Sequence, residues 1–296
     1  MNLIGHKKQK KLLKELAGSD NIPHNLLFTG PEEVGKKRAA IEFIKSLNCE
    51  NETGCGSCKT CREIETGRHG DLMIIDDNEE IKIDQIRDLQ KRLSLTGMSK
   101  DSYKVAVIDD AHLLNRQAQA CLLKTLEEPK GKALIILVTD KPNTLLDTIL
   151  SRMWSVKFSF VETELIKEEL ISRGAEKDEA NKLAKLSFSK PGLAIKLFEN
   201  NDFKLKWIQK RDDLEKLRDS YLADRFDYVK KMAKDKKEAR ETLKIWMGFL
   251  RREMLAGGKR AKKVKKSLEV IEDTLLLTSK TNANFKLSLE KVIINL

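Results

Sequence analysis

No run of 18 apolar residues occurs in this 296-residue sequence, which excludes a membrane-spanning helix. Nor does the N-terminus carry an apolar signal core: Met1 to Lys11 is polar and basic, so the expected location is the cytoplasm, with no membrane partner. Proline is scarce, with five residues, and aromatics make up 5%. Lys, Glu and Leu abound instead, which favours helix over sheet. Only five cysteines are present, and four of them fall between positions 49 and 61. In a cytosolic chain that clustering argues for metal ligation rather than disulfides.

The length suits two or three domains. The formal charge of +11 is uneven: residues 201–296 hold 25 Lys and Arg against 15 Asp and Glu. Residues 1–160 are close to balanced. A basic final third points either to a module lying near a polyanion or to a solvated helical surface.

From Asn25 to Phe160 short apolar runs alternate with helical stretches. Leu26–Phe28, Leu72–Ile75, Val105–Ile108 and Leu134–Val138 are predicted strands, and Ile83–Leu95 and Asn115–Glu128 predicted helices. That alternation implies an α/β domain around a parallel sheet with covered faces. A small helical unit follows, with Thr163–Ser172, Asp178–Ser187 and a third helix opening at Pro191. Beyond Phe203 the pattern is amphipathic helix, broken at Gly257-Gly258. The expected domains are therefore 1–160, 161–202 and an all-α 203–296.

Gly30-Pro31-Glu32-Glu33-Val34-Gly35-Lys36 follows the first strand and opens a helix, the spacing and context of a phosphate-binding P-loop. Gly30 and Gly35 let backbone N–H groups curl around phosphates, and Lys36 is the residue expected to reach them. The next position should carry the hydroxyl that holds magnesium. Here it is Lys37, which has no acceptor atom. Downstream, Val105–Ile108 ends in Asp109 and Asp110. In P-loop ATPases the first such acid supports magnesium and the second polarises the attacking water. That second residue is normally Glu, and Asp110 is shorter by about one carbon–carbon bond, ~1.5 Å. Catalytic geometry tolerates such an error poorly, so the hydrolytic centre is expected to be degraded, with weak ATP or ADP binding left open.

Cys49, Cys55, Cys58 and Cys61 stand at C-x5-C-x2-C-x2-C. Four thiolates so spaced can close a tetrahedron around Zn2+ as a structural site. His69 is surplus to that set and expected on the surface; Cys121 belongs to an apolar helical pattern.

Together these residues resemble the AAA+ clamp-loader family of bacterial DNA polymerase III, in which a cysteine zinc module lies between the P-loop helix and the next strand. Leu122-Leu123-Lys124-Thr125-Leu126-Glu127-Glu128-Pro129 is similar to the family's helix after the acidic strand. Thr148-Ile149-Leu150-Ser151-Arg152 is similar to its S-R-C element, with Met153 in place of Cys. Ile22–Phe28 and Ile83–Arg87 add to the likeness, which spans roughly residues 3–200. The resemblance implies an AAA+ domain, a helical lid and a C-terminal collar for oligomerisation. It implies that Arg152 is an arginine finger serving a neighbouring subunit's ATP, and that Thr139 is a polar sensor at a strand end. Gly192 falls where motor subunits carry a phosphate-contacting lid arginine. Lys37, Asp110 and Gly192 together favour the delta-prime branch, with gamma/tau and delta subunits, a sliding clamp and primer-template DNA as partners. The competing expectations are an active gamma/tau-type ATPase and a zinc-containing nucleic-acid-binding protein.

Overall fold

Leu26, Leu27 and Phe28 are almost wholly buried, because the strand that carries them, β1 (Asn25–Thr29), runs between two neighbours. The computed structural model describes residues 3–19, 21–51, 53–77, 79–95, 102–129, 131–257, 260–280 and 284–296. The remaining strands are β2 (Leu72–Ile75), β3 (Lys104–Ile108), β4 (Ala133–Thr139) and β5 (Trp154–Lys157). Their order is β2-β3-β4-β1-β5, every pairing parallel. The four predicted strands are all present. β5 was not foreseen, because only Val156 of its four residues is buried, so it shows no apolar run.

Helices cover both faces, as an all-parallel sheet requires. On one side lie α1 (Lys7–Ala17), α2 (Lys36–Asn48) and α3 (Lys59–Glu65). Leu13, Ala39, Ala40, Phe43, Ile44 and Ile64 pack there against Phe28, Val105, Val107 and Ile136. On the other lie α4 (Ile83–Leu93) and α5 (Arg116–Glu127), whose Ile86, Leu89, Ala118 and Leu122 meet Ala106, Ile108, Ile135 and Leu137. Odd and even strand residues thus go to opposite cores, the period-2 rule of a strand. Burying each large side chain contributes roughly 1.5–3 kcal/mol before entropy is counted. A short α6 (Asp147–Leu150) precedes β5, and α7 (Thr163–Ser172), α8 (Lys177–Leu186) and α9 (Pro191–Glu199) follow it.

By contacts the chain divides into two compact units, Met1–Ile195 and Lys196–Leu296. The second contains α10 (Asn201–Asp219), α11 (Leu222–Met232), α12 (Lys236–Ala256), α13 (Ala261–Lys280) and α14 (Phe285–Ile294). Its core centres on Trp246, fully buried, whose indole N–H donates to the Lys210 carbonyl at 2.8 Å. Asp235 caps α12 by accepting from the amides of Lys237 and Glu238, which are otherwise orphan donors of the first turn. The predicted break falls where α12 ends at Ala256; Gly258 lies outside the described residues. None of the described helices is long and apolar enough to cross a membrane.

Candidate functional site

Because all five strands are parallel, their carboxyl ends share one edge, where ligands of open α/β sheets bind. Gly30 follows β1, Asp76 follows β2, Asp109 follows β3 and Asp140 follows β4. The P-loop closes on itself at this edge. Lys36 is 7% exposed, and its ammonium donates to the carbonyls of Gly30 at 2.8 Å and Pro31 at 2.7 Å. Burial lowers its pKa, opposed by the charges of Asp140, Asp109, Asp110 and Glu32.

Lys37 does more than lack a hydroxyl. Its ammonium lies 3.3 Å from Asp109 Oδ2 and is hydrogen-bonded to Asp76 Oδ2. Burial would lower its pKa, but these two carboxylates outweigh burial and raise it, so the cation is firmly charged. The acid expected to support magnesium is thus already paired with a side-chain cation. Asp76 went unnoticed in the sequence. The available signal was an acid directly after β2, since Asp109 N donates to Ile75 O across the paired strand ends.

Asp110 adopts left-handed backbone geometry, φ 46° and ψ 47°, and burial followed by the Asp109 charge raises its pKa. His112 Nδ1 lies 3.3 Å from Asp140 Oδ1 and 3.8 Å from Asp110 Oδ1. Thr139 is wholly buried, and its hydroxyl oxygen accepts from the Lys141 amide at 3.0 Å, a local turn that ends β4.

Gly192, in the first turn of α9, touches the phosphate loop directly. Its amide donates to Glu33 O at 2.8 Å, and a Cβ there would sit 2.9 Å from that same oxygen. No side chain fits at this position without moving the loop, an arginine least of all.

Arg152 lies after α6 on the same side of the sheet as α5. Its Nη2 is 2.7 Å from Glu127 Oε1, and Nη1 donates to Thr148 O at 2.9 Å. The side chain is 37% exposed.

Between α2 and α3 the four thiol sulfurs lie within 4.8 Å of one another. Tetrahedral ligation with Zn–S near 2.3 Å needs sulfurs roughly 3.8 Å apart, so modest contraction suffices. Amides converge on them: Asn51 and Cys55 donate to Cys49 Sγ, Cys58 to Cys55 Sγ and Cys61 to Cys58 Sγ, each at 3.4 Å. The Ser57 hydroxyl and the Cys58 amide pull Cys55 down to about 5, whereas burial pushes Cys61 up to about 12. A dication at their centre would favour the thiolate form of all four. The cluster fits a closed four-thiolate metal site. It is anchored by α2, where the buried pair Glu42 and Lys45 joins Arg38 to Glu65 of α3. His69, expected at the surface, is instead 8% exposed and accepts from the Asp71 amide at 3.3 Å. Its turn just before β2 buries the ring, which spacing did not reveal.

Residues 5–162 match the family model described as DNA polymerase III, delta subunit. Among individual relatives, the DNA polymerase III subunit delta-prime of Bacillus subtilis is 34% identical over 196 residues, 65% of this chain and 59% of the relative. DNA polymerase III subunit tau of Escherichia coli is 38% identical over 55% of this chain and 26% of its own length. Both matches span less than two thirds of the relative. A crystal structure of a DNA polymerase III gamma subunit-related protein from Thermotoga maritima superposes with TM-score 0.53 at 21% identity, covering 97% of this chain and 98% of the other. That likeness shows a shared fold.

Proposed function

This chain belongs to the family of DNA polymerase III delta subunits, and we propose that it serves replication as a delta-prime-type clamp-loader subunit. In this reading it hydrolyses no ATP efficiently itself and supplies Arg152 to a neighbouring ATPase subunit. The observation that carries it is the Lys37 ammonium held against Asp109 and Asp76. A side chain tethered there competes with magnesium for the very carboxylate the metal needs, and it repels any cation that approaches. In this reading Arg152 offers positive charge to a neighbour, while Lys36 is bonded to carbonyls of its own phosphate loop and Lys37 to Asp76 and Asp109.

The chemistry assigned to Arg152 is electrostatic. Negative charge spreads over the γ-phosphoryl oxygens of a neighbour's nucleotide during transfer, and a guanidinium fork placed beside them stabilises that charge. Gly30, Gly35, Lys36, Asp109, Asp110 and Thr139 would form at most a weak ATP or ADP site. In the proposed arrangement residues 1–160 are the AAA+ domain, 161–202 a lid and 203–296 a collar that joins gamma/tau and delta subunits. Leu255, Leu287 and Ile294 of the helical unit are exposed at 84%, 63% and 55%, apolar surface that partners could cover. The sliding clamp and primer-template DNA would be met within that assembly.

Steady-state hydrolysis by the isolated protein tests the reading. Turnover is expected to equal that of a Lys36→Ala variant, with or without magnesium. Lys37→Thr alone is expected to restore little, because Asp110 and the Gly192 contact remain. Brisk magnesium-dependent turnover abolished by Lys36→Ala would instead identify a gamma/tau-type motor.

Zinc is the metal proposed for Cys49, Cys55, Cys58 and Cys61, where it would fix the loop between α2 and α3 without an open position for chemistry. Metal analysis of protein never exposed to chelator is expected to find about one zinc per chain, as a closed four-thiolate site requires. Cys58→Ser is expected to lose the metal and expose the loop to protease while the sheet stays folded. A zinc content below about a quarter per chain would rule the site out.

A further inference from the structure

We propose that Asn25 and Glu127 are positioning residues that hold the Arg152 guanidinium in its outward-facing pose. The inference rests on the reading of Arg152 as a trans-acting finger. Asn25 opens β1, the strand that leads into the phosphate loop, and it is only 9% exposed. Its side-chain amide donates twice, to the carbonyl of Leu126 at 2.9 Å and to that of Arg152 at 3.3 Å. One buried side chain thereby fixes the last turn of α5 to the backbone of the finger. Glu127, the last residue of α5, then meets the guanidinium itself at 2.7 Å. The two contacts form a closed frame: β1 to α5 through Asn25, α5 to the guanidinium through Glu127, and the finger's backbone back to β1.

Stability does not explain the Glu127 contact. Its side chain is 50% exposed and that of Arg152 37%, and ion pairs so open to water contribute little to folding. Orientation does explain it. A guanidinium has five N–H donors in a rigid plane. Glu127 engages Nη2, and Thr148 O and the Ser151 hydroxyl engage the two Nη1 hydrogens, leaving the Nε–H and a second Nη2 hydrogen for an incoming phosphate. A carboxylate on one edge and a carbonyl on the other remove rotamer freedom that the side chain would otherwise lose on reaching a neighbour's nucleotide. Asn25 fixes the root of the side chain, Glu127 its tip.

The test uses full-length protein reconstituted with its partner subunits, comparing clamp- and DNA-stimulated ATPase at equal assembly. Glu127→Gln is expected to lower kcat by roughly 1.5-fold to threefold, a part of what Arg152→Ala itself removes, with the KM for ATP and the thermal midpoint of the isolated chain unchanged. Asn25→Ala is expected to lower kcat similarly; Asn25→Ser serves if the alanine variant is poorly folded. Residues that act only through Arg152 lose their effect without it, so adding either change to Arg152→Ala should slow the complex no further. Wild-type kcat in Glu127→Gln beside a slow Arg152→Ala would overturn the inference and leave the finger standing. Losses that multiply in the double variants, or a faster Glu127→Gln complex, would overturn it too. If Arg152→Ala itself runs at the wild-type rate, the finger reading fails and the positioning role with it.

Discussion

Arg152→Ala is expected to leave folding, metal content and subunit assembly intact while slowing the clamp- and DNA-stimulated ATPase of the reconstituted complex. Where an arginine finger serves a phosphoryl-transfer site it contributes roughly 10³–10⁵ in rate. Only the site facing this subunit loses that help, so the complex as a whole is expected to slow by about twofold to tenfold, the other sites continuing. The loss should fall on kcat, because the interaction forms with charge that develops in the transition state. Arg152→Lys should recover only part of it: an ammonium restores the charge but not the planar fork. The fold should tolerate both changes, since Arg152 is bonded at the surface to Glu127 and Thr148 rather than packed in either core. Unchanged ATPase and unchanged clamp loading at equal assembly would remove Arg152 from the mechanism.

The largest expected effect on stability comes from Gly30→Ala. Gly30 has φ +144°, and a Cβ built on it would lie 2.3 Å from the Phe158 carbonyl oxygen and 2.9 Å from its carbonyl carbon. Neither atom can swing away, because both are backbone and Phe158 N is bonded to Thr29 O at 2.7 Å where β5 leaves β1. The methyl must therefore part the two chains just beyond the end of the sheet. With the backbone strain included, a cost of about 3 kcal/mol or more is expected. In a unit of this size that lowers the thermal midpoint by roughly 6–12 °C. Thermal unfolding of the full chain checks it; a shift under about 2 °C would mean that the chains separate here at little cost. The consequence for function is that this glycine is required by the fold whether or not a phosphate ever binds.

Much of the N-terminal unit was legible because its signals are local. Leu72–Ile75 and Thr163–Ser172 fall where the pattern puts them, and Pro191 begins α9. α1 escaped notice although Leu12, Leu13, Leu16 and Ala17 face the core at helical spacing, because all four stand in its second half behind a run of lysines. β5 was missed for another reason: an edge strand with one buried residue carries no apolar run. At the site, the departures at Lys37, Asp110 and Gly192 were visible as residues out of pattern, but what each one touches was not.

The sequence by itself determined the elements whose chemistry lies within a few consecutive residues. The glycines and lysines of the phosphate loop, the acids closing β3 and the four cysteines on one loop are of this kind, because covalent neighbours remain neighbours however the chain folds. Tertiary structure decided everything that depends on which strand ends meet. Lys37 and Asp76 are 39 residues apart, Asn25 and Arg152 127 apart. They come together only because parallel pairing in the order β2-β3-β4-β1-β5 gathers the carboxyl ends of the strands at one edge and the finger at another. The sequence marks Lys37 as the wrong residue for a metal. The fold makes it the cation that holds the metal's own carboxylate, because parallel pairing of Ile75 with Ile108 brings Asp76 and Asp109 side by side.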